Sequence, residues 1–143
     1  MDKLGNYIYA TLPPEENEGC IEYKWDLEKI NHTKYNKLTS QMKWRVCQAS
    51  GNYSALYILG IHDGGQLTGL SKDKIIATYL NLLDCASSAN LYLCMRKLSR
   101  IENSDRYWAI LQIFHSSKKL HYTQSDLNLP LIPKHLLPSF LDT

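Results

Sequence analysis

The 143 residues are 44% hydrophobic and carry a formal net charge of +2, enough apolar material for one hydrophobic core without disulfide or metal support. The four cysteines lie far apart or within apolar runs, a pattern typical of free thiols in a reducing compartment rather than of a disulfide framework. No apolar stretch approaches the roughly 20 residues of a membrane span and residues 1–10 show no signal-peptide pattern, so we expect a soluble, cytoplasmic protein without a membrane partner.

The sequence predicts one domain between two irregular arms. Residues 1–19 contain Pro13-Pro14 and an acidic cluster, so we expect an extended N-terminal arm. Residues 20–119 carry the periodic patterns of a single α+β domain. Residues 120–143 are rich in leucine but interrupted by prolines, which predicts a C-terminal tail that packs on the domain or on a partner.

The first half of the domain predicts a strand, a helix and a second strand. Apolar and polar residues alternate over 20–27, as in a strand with one buried face. Apolar residues then recur every three or four positions over 33–49, which indicates an amphipathic helix. Residues 53–61 are apolar at almost every position, which is typical of a central strand.

The second half predicts a turn, a helix and a hairpin. Asp63-Gly64-Gly65 favours a tight turn into a short strand over 66–70, and Ser71 is placed to cap a second helix. Apolar runs over 90–98 and 106–115 predict the last two strands. The order β-α-β-β-α-β-β therefore predicts an α+β fold, with a single mixed or antiparallel sheet and two helices on one face.

Charge is unevenly distributed along the chain. Residues 1–30 hold seven acids and three lysines, whereas residues 32–62 hold Lys34, Lys37, Lys43 and Arg45 and no acid. A surface of one charge sign favours a polyanion or an acidic partner, although a solvated helix face is the ordinary alternative.

Signatures of catalysis and of ligand binding are missing. Residues 64–71 resemble a phosphate loop, but Leu70 occupies the position of the essential lysine, so no nucleotide is predicted. His115 and His121 are the closest histidines and no second pair lies nearby, which argues against a metal. Without a nucleophile elbow or a similar motif, we expect no catalytic residue and no cofactor.

Several motifs between about residues 12 and 100 resemble the amino-terminal domain of the eukaryotic GTP-binding protein 1 and 2 family. They are Leu-Pro-Pro-Glu at 12–15, Gly-Cys-Ile-Glu-Tyr-Lys at 19–24, Gln-Met-Lys-Trp-Arg at 41–45, Tyr-Ile-Leu-Gly-Ile-His-Asp-Gly-Gly at 57–65 and Leu-Thr-Gly-Leu-Ser at 67–71. The members are ribosome-associated translational GTPases, and we expect this chain to be a stand-alone version of their accessory domain, without the GTPase domain. The resemblance implies a non-catalytic factor that binds the ribosome, through rRNA and ribosomal proteins, or other RNA. It would regulate translation, and a ribosome dormancy (hibernation) factor would fit.

Two clusters are the candidate RNA-binding residues. Lysine and arginine can pair with phosphates, and an indole can stack on an unpaired base. The first cluster comprises Lys34, Lys37, Lys43, Trp44 and Arg45, and the second comprises Arg96, Lys97, Arg100 and Arg106, extended by Lys118 and Lys119. The alternative is that Trp44 packs partly in the core and that the cations are merely solvated.

Two other functions remain open. The Ile-Glu-Tyr-Lys strand and the Asp-Gly-Gly turn also resemble the AlbA-like core of Schlafen-type RNA endonucleases, which implies metal-binding roles for Glu22 and Asp63. Asn17 stands where that pattern has a further glutamate, and both acids have ordinary roles, Glu22 on the solvent face of a strand and Asp63 in a turn. The third function is a protein-interaction adaptor that docks through its C-terminal tail.

Overall fold

The computed structural model describes residues 10–16, 19–47 and 54–115. The strands are β1 Ala10–Thr11, β2 Ile21–Lys24, β3 Ser54–Leu59, β4 Gln66–Leu67, β5 Leu70–Ser71, β6 Tyr92–Arg100 and β7 Arg106–Phe114, and the helices are α1 His32–Cys47 and α2 Lys72–Ser88. The predicted α+β class is confirmed. The predicted strand over 66–70 is divided into β4 and β5, and the tail over 120–143 lies outside the described residues.

The main sheet is mixed. Strand β2 runs parallel to β3, and β3 runs antiparallel to β7. Strand β6 pairs along the other edge of β7, with a bulge between Met95 and Lys97. Strand β5 continues the line of β3 because it pairs with the first residues of β7, which β3 leaves unpaired. The order across the sheet is therefore β2, then β3 with β5, then β7, then β6.

Both helices pack on one face of this sheet. Helix α1 contacts β3 and β7, and α2 contacts β7, β5 and β6, so α2 lies between α1 and the β6 edge. The side chain of Asn31 accepts a hydrogen bond from the Lys34 amide at 2.8 Å, and Ser71 caps α2 in the same way through the Lys74 amide, as the sequence predicted for Ser71. No helix among the described residues is long and apolar enough to cross a membrane.

Part of the N-terminal arm covers the opposite face of the sheet. Strand β1 pairs with β4, and Leu12 is buried in a second apolar cluster with Tyr23, Ile58 and Trp108. The Leu12 amide donates to the Gly65 carbonyl at 2.8 Å, which holds the arm against the turn before β4. This strand is not predictable from the sequence, because two residues close to a Pro-Pro pair carry no detectable alternation. Residues 10–16 thus belong to the folded domain.

We predict that Gly65→Ala detaches the arm. Gly65 has a φ of +98°, and a Cβ atom there would lie 2.0 Å from the Leu12 carbonyl oxygen. We expect a loss of about 1–3 kcal/mol of stability and faster hydrogen exchange at the Leu12 amide. Gly64→Ala is the matched control, because the three atoms nearest to its Cβ would all belong to the flexible side chain of Gln66. Equal exchange rates in the two variants would contradict this role of Gly65.

Candidate nucleic-acid interface

The outer surface of α1 presents lysine and tryptophan to solvent. Leu38, Met42 and Val46 face the sheet and are buried. Since a helix turns about 100° per residue, Lys37 and Trp44 share the opposite face, two turns apart. Lys34 and Lys43 are also exposed and lie on opposite flanks of that face. The structure therefore brings four of the five predicted residues onto one exposed helix surface, called here the α1 surface: Lys34, Lys37, Lys43 and Trp44.

Trp44 is the centre of this surface. Its side chain is 41% exposed, so it does not pack in the core. The guanidinium carbon of Arg45 lies over the ring at 4.9 Å from its centroid, within the range of a cation–π interaction. One face of the indole is thus supported by the protein, and the opposite face is the one that a base could stack on.

Arg45 itself is not part of the α1 surface, and its prediction as a phosphate contact is wrong. It lies on the same helix face as Met42 and is buried. Its Nε donates to Glu22 at 2.7 Å, and its two terminal nitrogens donate at 2.8 Å to the carbonyls of Gly19 and Glu16. Because Arg45 is buried and every guanidinium nitrogen already donates to a partner inside the domain, it is not placed to contact RNA.

Glu22 is buried rather than solvent-facing, so its predicted ordinary role is corrected. One carboxylate oxygen pairs with Arg45 and the other lies 2.8 Å from Lys24 Nζ. Asp63 is an exposed turn residue, and its carbonyl accepts the Glu15 amide at 2.7 Å. Within the described residues, no group of three His, Cys, Asp or Glu side chains could hold a metal ion. With both oxygens neutralised by cations, Glu22 is a structural carboxylate.

Glu15 is a half-buried acid whose role the sequence did not reveal. Its carboxylate accepts the Tyr23 amide of β2. Burial raises the pKa of Glu15 to about 7; the bond from Tyr23 opposes this shift, and the charges of Glu22 and Asp63 add to it. Glu15 belongs to the arm and Glu22 to β2, so only docking of the arm brings them together, and no sequence spacing could have indicated it.

The second predicted cluster is split by burial. Arg96, Lys97 and Arg100 lie on the edge strand β6, where Arg100 donates to the Ser104 carbonyl at 2.6 Å. Arg106 is buried, and its prediction as a phosphate contact is wrong. Its Nε donates to the Thr68 carbonyl at 3.0 Å and its Nη2 to the Gly69 carbonyl at 2.6 Å. Arg106 therefore anchors the loop between β4 and β5.

The two clusters do not form one continuous site. Helix α2 lies between α1 and β6, so the α1 surface and the β6 cations occupy different flanks of the domain. Lys118 and Lys119 lie outside the described residues.

Comparisons with known proteins agree with the motif resemblance over half of the chain. GTP-binding protein 2 of mouse and of human are each 38% identical to it over 71 residues, which is 50% of this chain but 12% of the relative. Uncharacterized protein R625 of Acanthamoeba polyphaga mimivirus is 38% identical over 66 residues, 46% of this chain and 35% of that protein. No family model matches the sequence. The chain is thus similar to a small part of GTP-binding protein 2.

We predict that Arg45→Met destabilises the domain by about 3–5 kcal/mol, because it leaves the buried Glu22 carboxylate with Lys24 as its remaining cationic partner. Urea denaturation measures the change. Lys43→Met is the matched control, since Lys43 is exposed on the same helix, and it should change stability by less than about 0.5 kcal/mol. Similar losses in both variants would show that the pair of Glu22 and Arg45 is not a principal support.

We predict that Glu15→Gln removes a pH dependence of stability. The folded-state pKa of about 7 exceeds the ordinary value of 4.5, so between these values the folded state holds a proton that the unfolded state releases. The free energy of unfolding therefore falls as pH rises through this window. Thermal melts at pH 4 and pH 8 should show the variant gaining relative to wild type only at the higher pH. Glu16→Gln, an exposed neighbour, should behave like wild type.

Proposed function

We propose that this protein is a non-catalytic factor that binds RNA on the ribosome and acts in the regulation of translation. The observation that carries the proposal is the α1 surface, an exposed indole backed by a buried cation and surrounded by exposed lysines. The similarity to GTP-binding protein 2 and the motif resemblance to a family of translational GTPases support the same role.

The charge of α1 suits a phosphate backbone. The helix contains no acidic residue, and none of its lysines forms an ion pair within the described part of the chain. Lys37 and Trp44 on one face, with Lys34 and Lys43 at its flanks, would place cations around a stacked base. Such a surface recognises single-stranded RNA with little sequence preference, because every base offers a ring face for stacking.

We assign no catalytic step to this site. The RNA endonuclease alternative needs Glu22 as a metal ligand, and both of its oxygens are paired with cations. A stacking and phosphate-pairing surface needs no reaction in order to act, since its bound RNA would be closed to other ligands. Within translation regulation, a dormancy factor on inactive ribosomes is the specific role that we propose.

We predict that Trp44→Ala weakens binding to a labelled single-stranded RNA of about 12 nucleotides by roughly 5- to 100-fold, as expected for the loss of one stacked base. Trp44→Phe should retain part of the affinity. The double variant Lys37→Glu plus Lys43→Glu should weaken binding and reduce its dependence on salt. Fluorescence anisotropy at several salt concentrations measures these effects.

Lys72→Glu provides the matched control, because Lys72 is exposed at the start of α2 and away from the α1 surface. It should leave RNA binding nearly unchanged. In sucrose gradients the wild-type protein should travel with non-translating ribosomes, and Trp44→Ala should remain near the top. An equal loss of RNA binding in Lys72→Glu, or a wild-type protein that never sediments with ribosomes, would contradict the proposal.

A further inference from the structure

Helix α2 carries an apolar stripe that nothing in the described structure covers. Ile76, Leu80 and Leu83 follow one another at helical spacing and are exposed, Leu80 by 53%. Charged or polar side chains would be expected on such a face of an ordinary surface helix. The angular position of the stripe on α2 shows which neighbouring element it faces.

The stripe lies on the flank of α2 that faces away from α1. On the α1 side, Thr78 accepts the Leu27 amide at 2.9 Å and Cys85 lies against the Tyr35 carbonyl. Ile75 and Leu82 face the sheet. With about 100° per residue, the stripe is on the remaining flank, which overlooks β6.

Strand β6 supplies the other wall of a groove. Leu98 is paired with Ala109, a residue of the core under the helices, so register places Leu98 on the helix-covered side of the sheet. It is 40% exposed, and Leu93 and Met95 on the same side are half-buried. Together the stripe and these residues form an apolar trough between α2 and β6, here called the α2–β6 groove.

The groove has an open backbone edge. Among the described residues, β7 is the single strand that pairs with β6, so the outer edge of β6 from Leu93 to Arg100 presents unpaired amides and carbonyls. An open edge beside an apolar trough is the arrangement that accepts an extended segment as an added strand.

The charge of β6 indicates which kind of extended segment the groove would bind. Strand β6 contains Arg96, Lys97 and Arg100 and no acid, and none of the three forms an ion pair with a described residue. A second copy of β6 in antiparallel pairing would bring like charges together. The chain's own residues 120–143 hold Asp126 and Asp142 against Lys134, too little negative charge to match this edge.

We propose that the α2–β6 groove is a docking site for an extended, acidic segment of a partner protein. The segment would pair with the open edge of β6, direct its apolar side chains towards Leu80 and Leu98, and place its carboxylates near Arg96 and Lys97. This site is separate from the α1 surface and does not depend on RNA binding.

The full chain can be tested with a fluorescein-labelled peptide of the length of β6, nine residues, in which leucine or valine alternates with glutamate. Anisotropy should show binding of this peptide and not of its lysine counterpart, and a proline at the centre should abolish binding by removing a backbone donor. Leu80→Asp and the double variant Arg96→Glu plus Lys97→Glu should each weaken binding by roughly tenfold or more.

Trp44→Ala is the control, because it removes the centre of the α1 surface and should leave peptide affinity unchanged. Equal binding of the glutamate and lysine peptides, or no effect of Leu80→Asp, would overturn the proposal. Displacement of the peptide by single-stranded RNA in the Trp44→Ala variant would assign the groove to nucleic acid instead. A dimer in sedimentation equilibrium that Leu80→Asp dissociates would assign it to a second copy of the chain.

Discussion

The buried ion pair between Glu22 and Arg45 is the interaction on which the rest of the domain depends. It joins the four-residue strand β2 to α1, and the remaining Arg45 nitrogens hold the carbonyls of Glu16 and Gly19. A buried carboxylate is tolerated only with partners for its charge, and Arg45 and Lys24 supply them. The pair also fixes the rotation of α1. With Arg45 directed inward, the preceding Trp44 must face outward, so one structural contact sets the exposure of the proposed RNA-binding residue.

The elements that the sequence predicted well are those in which local chemistry and periodicity agree. Ser71 at the N-cap position, followed by an apolar stripe at helical spacing, predicted α2. The continuous apolar run before Asp63 predicted β3. Strand β1 could not be predicted, because a two-residue strand forms only through pairing with β4, and that pairing requires the absence of a side chain at Gly65. Strand β2 was predicted, but not the burial of its Glu22 face, which is as buried as the Tyr23 face because α1 and the arm cover opposite sides.

The lysines predicted as RNA contacts on α1 are exposed, and their role stays a prediction, whereas two of the predicted arginines serve as internal donors. Lys37 and Lys43 are exposed and form no ion pair with any residue that the structure describes, whereas Arg45 and Arg106 satisfy a carboxylate and several backbone carbonyls. In sequence these four residues look alike. Arginine offers five donors in a planar fork and is poorly hydrated, so it is the basic residue best suited to burial. Deciding its role requires knowledge of which acceptors the fold brings near, and Glu22 lies 23 positions from Arg45.

Helix α2 separates the two proposed surfaces, so the contacts that hold α2 in place determine whether binding at one surface could affect the other. Tyr35 and Thr78 connect α2 to α1 and to the segment before it, while Ile75 and Leu82 fix α2 on the sheet. A helix held on two sides cannot shift to transmit occupancy of the α2–β6 groove to the α1 surface without breaking these contacts. RNA on one flank and an acidic protein segment on the other would therefore bind independently. If both ligands belong to one assembly, holding them at once would raise the affinity of the domain for that assembly through effective concentration rather than through a conformational change.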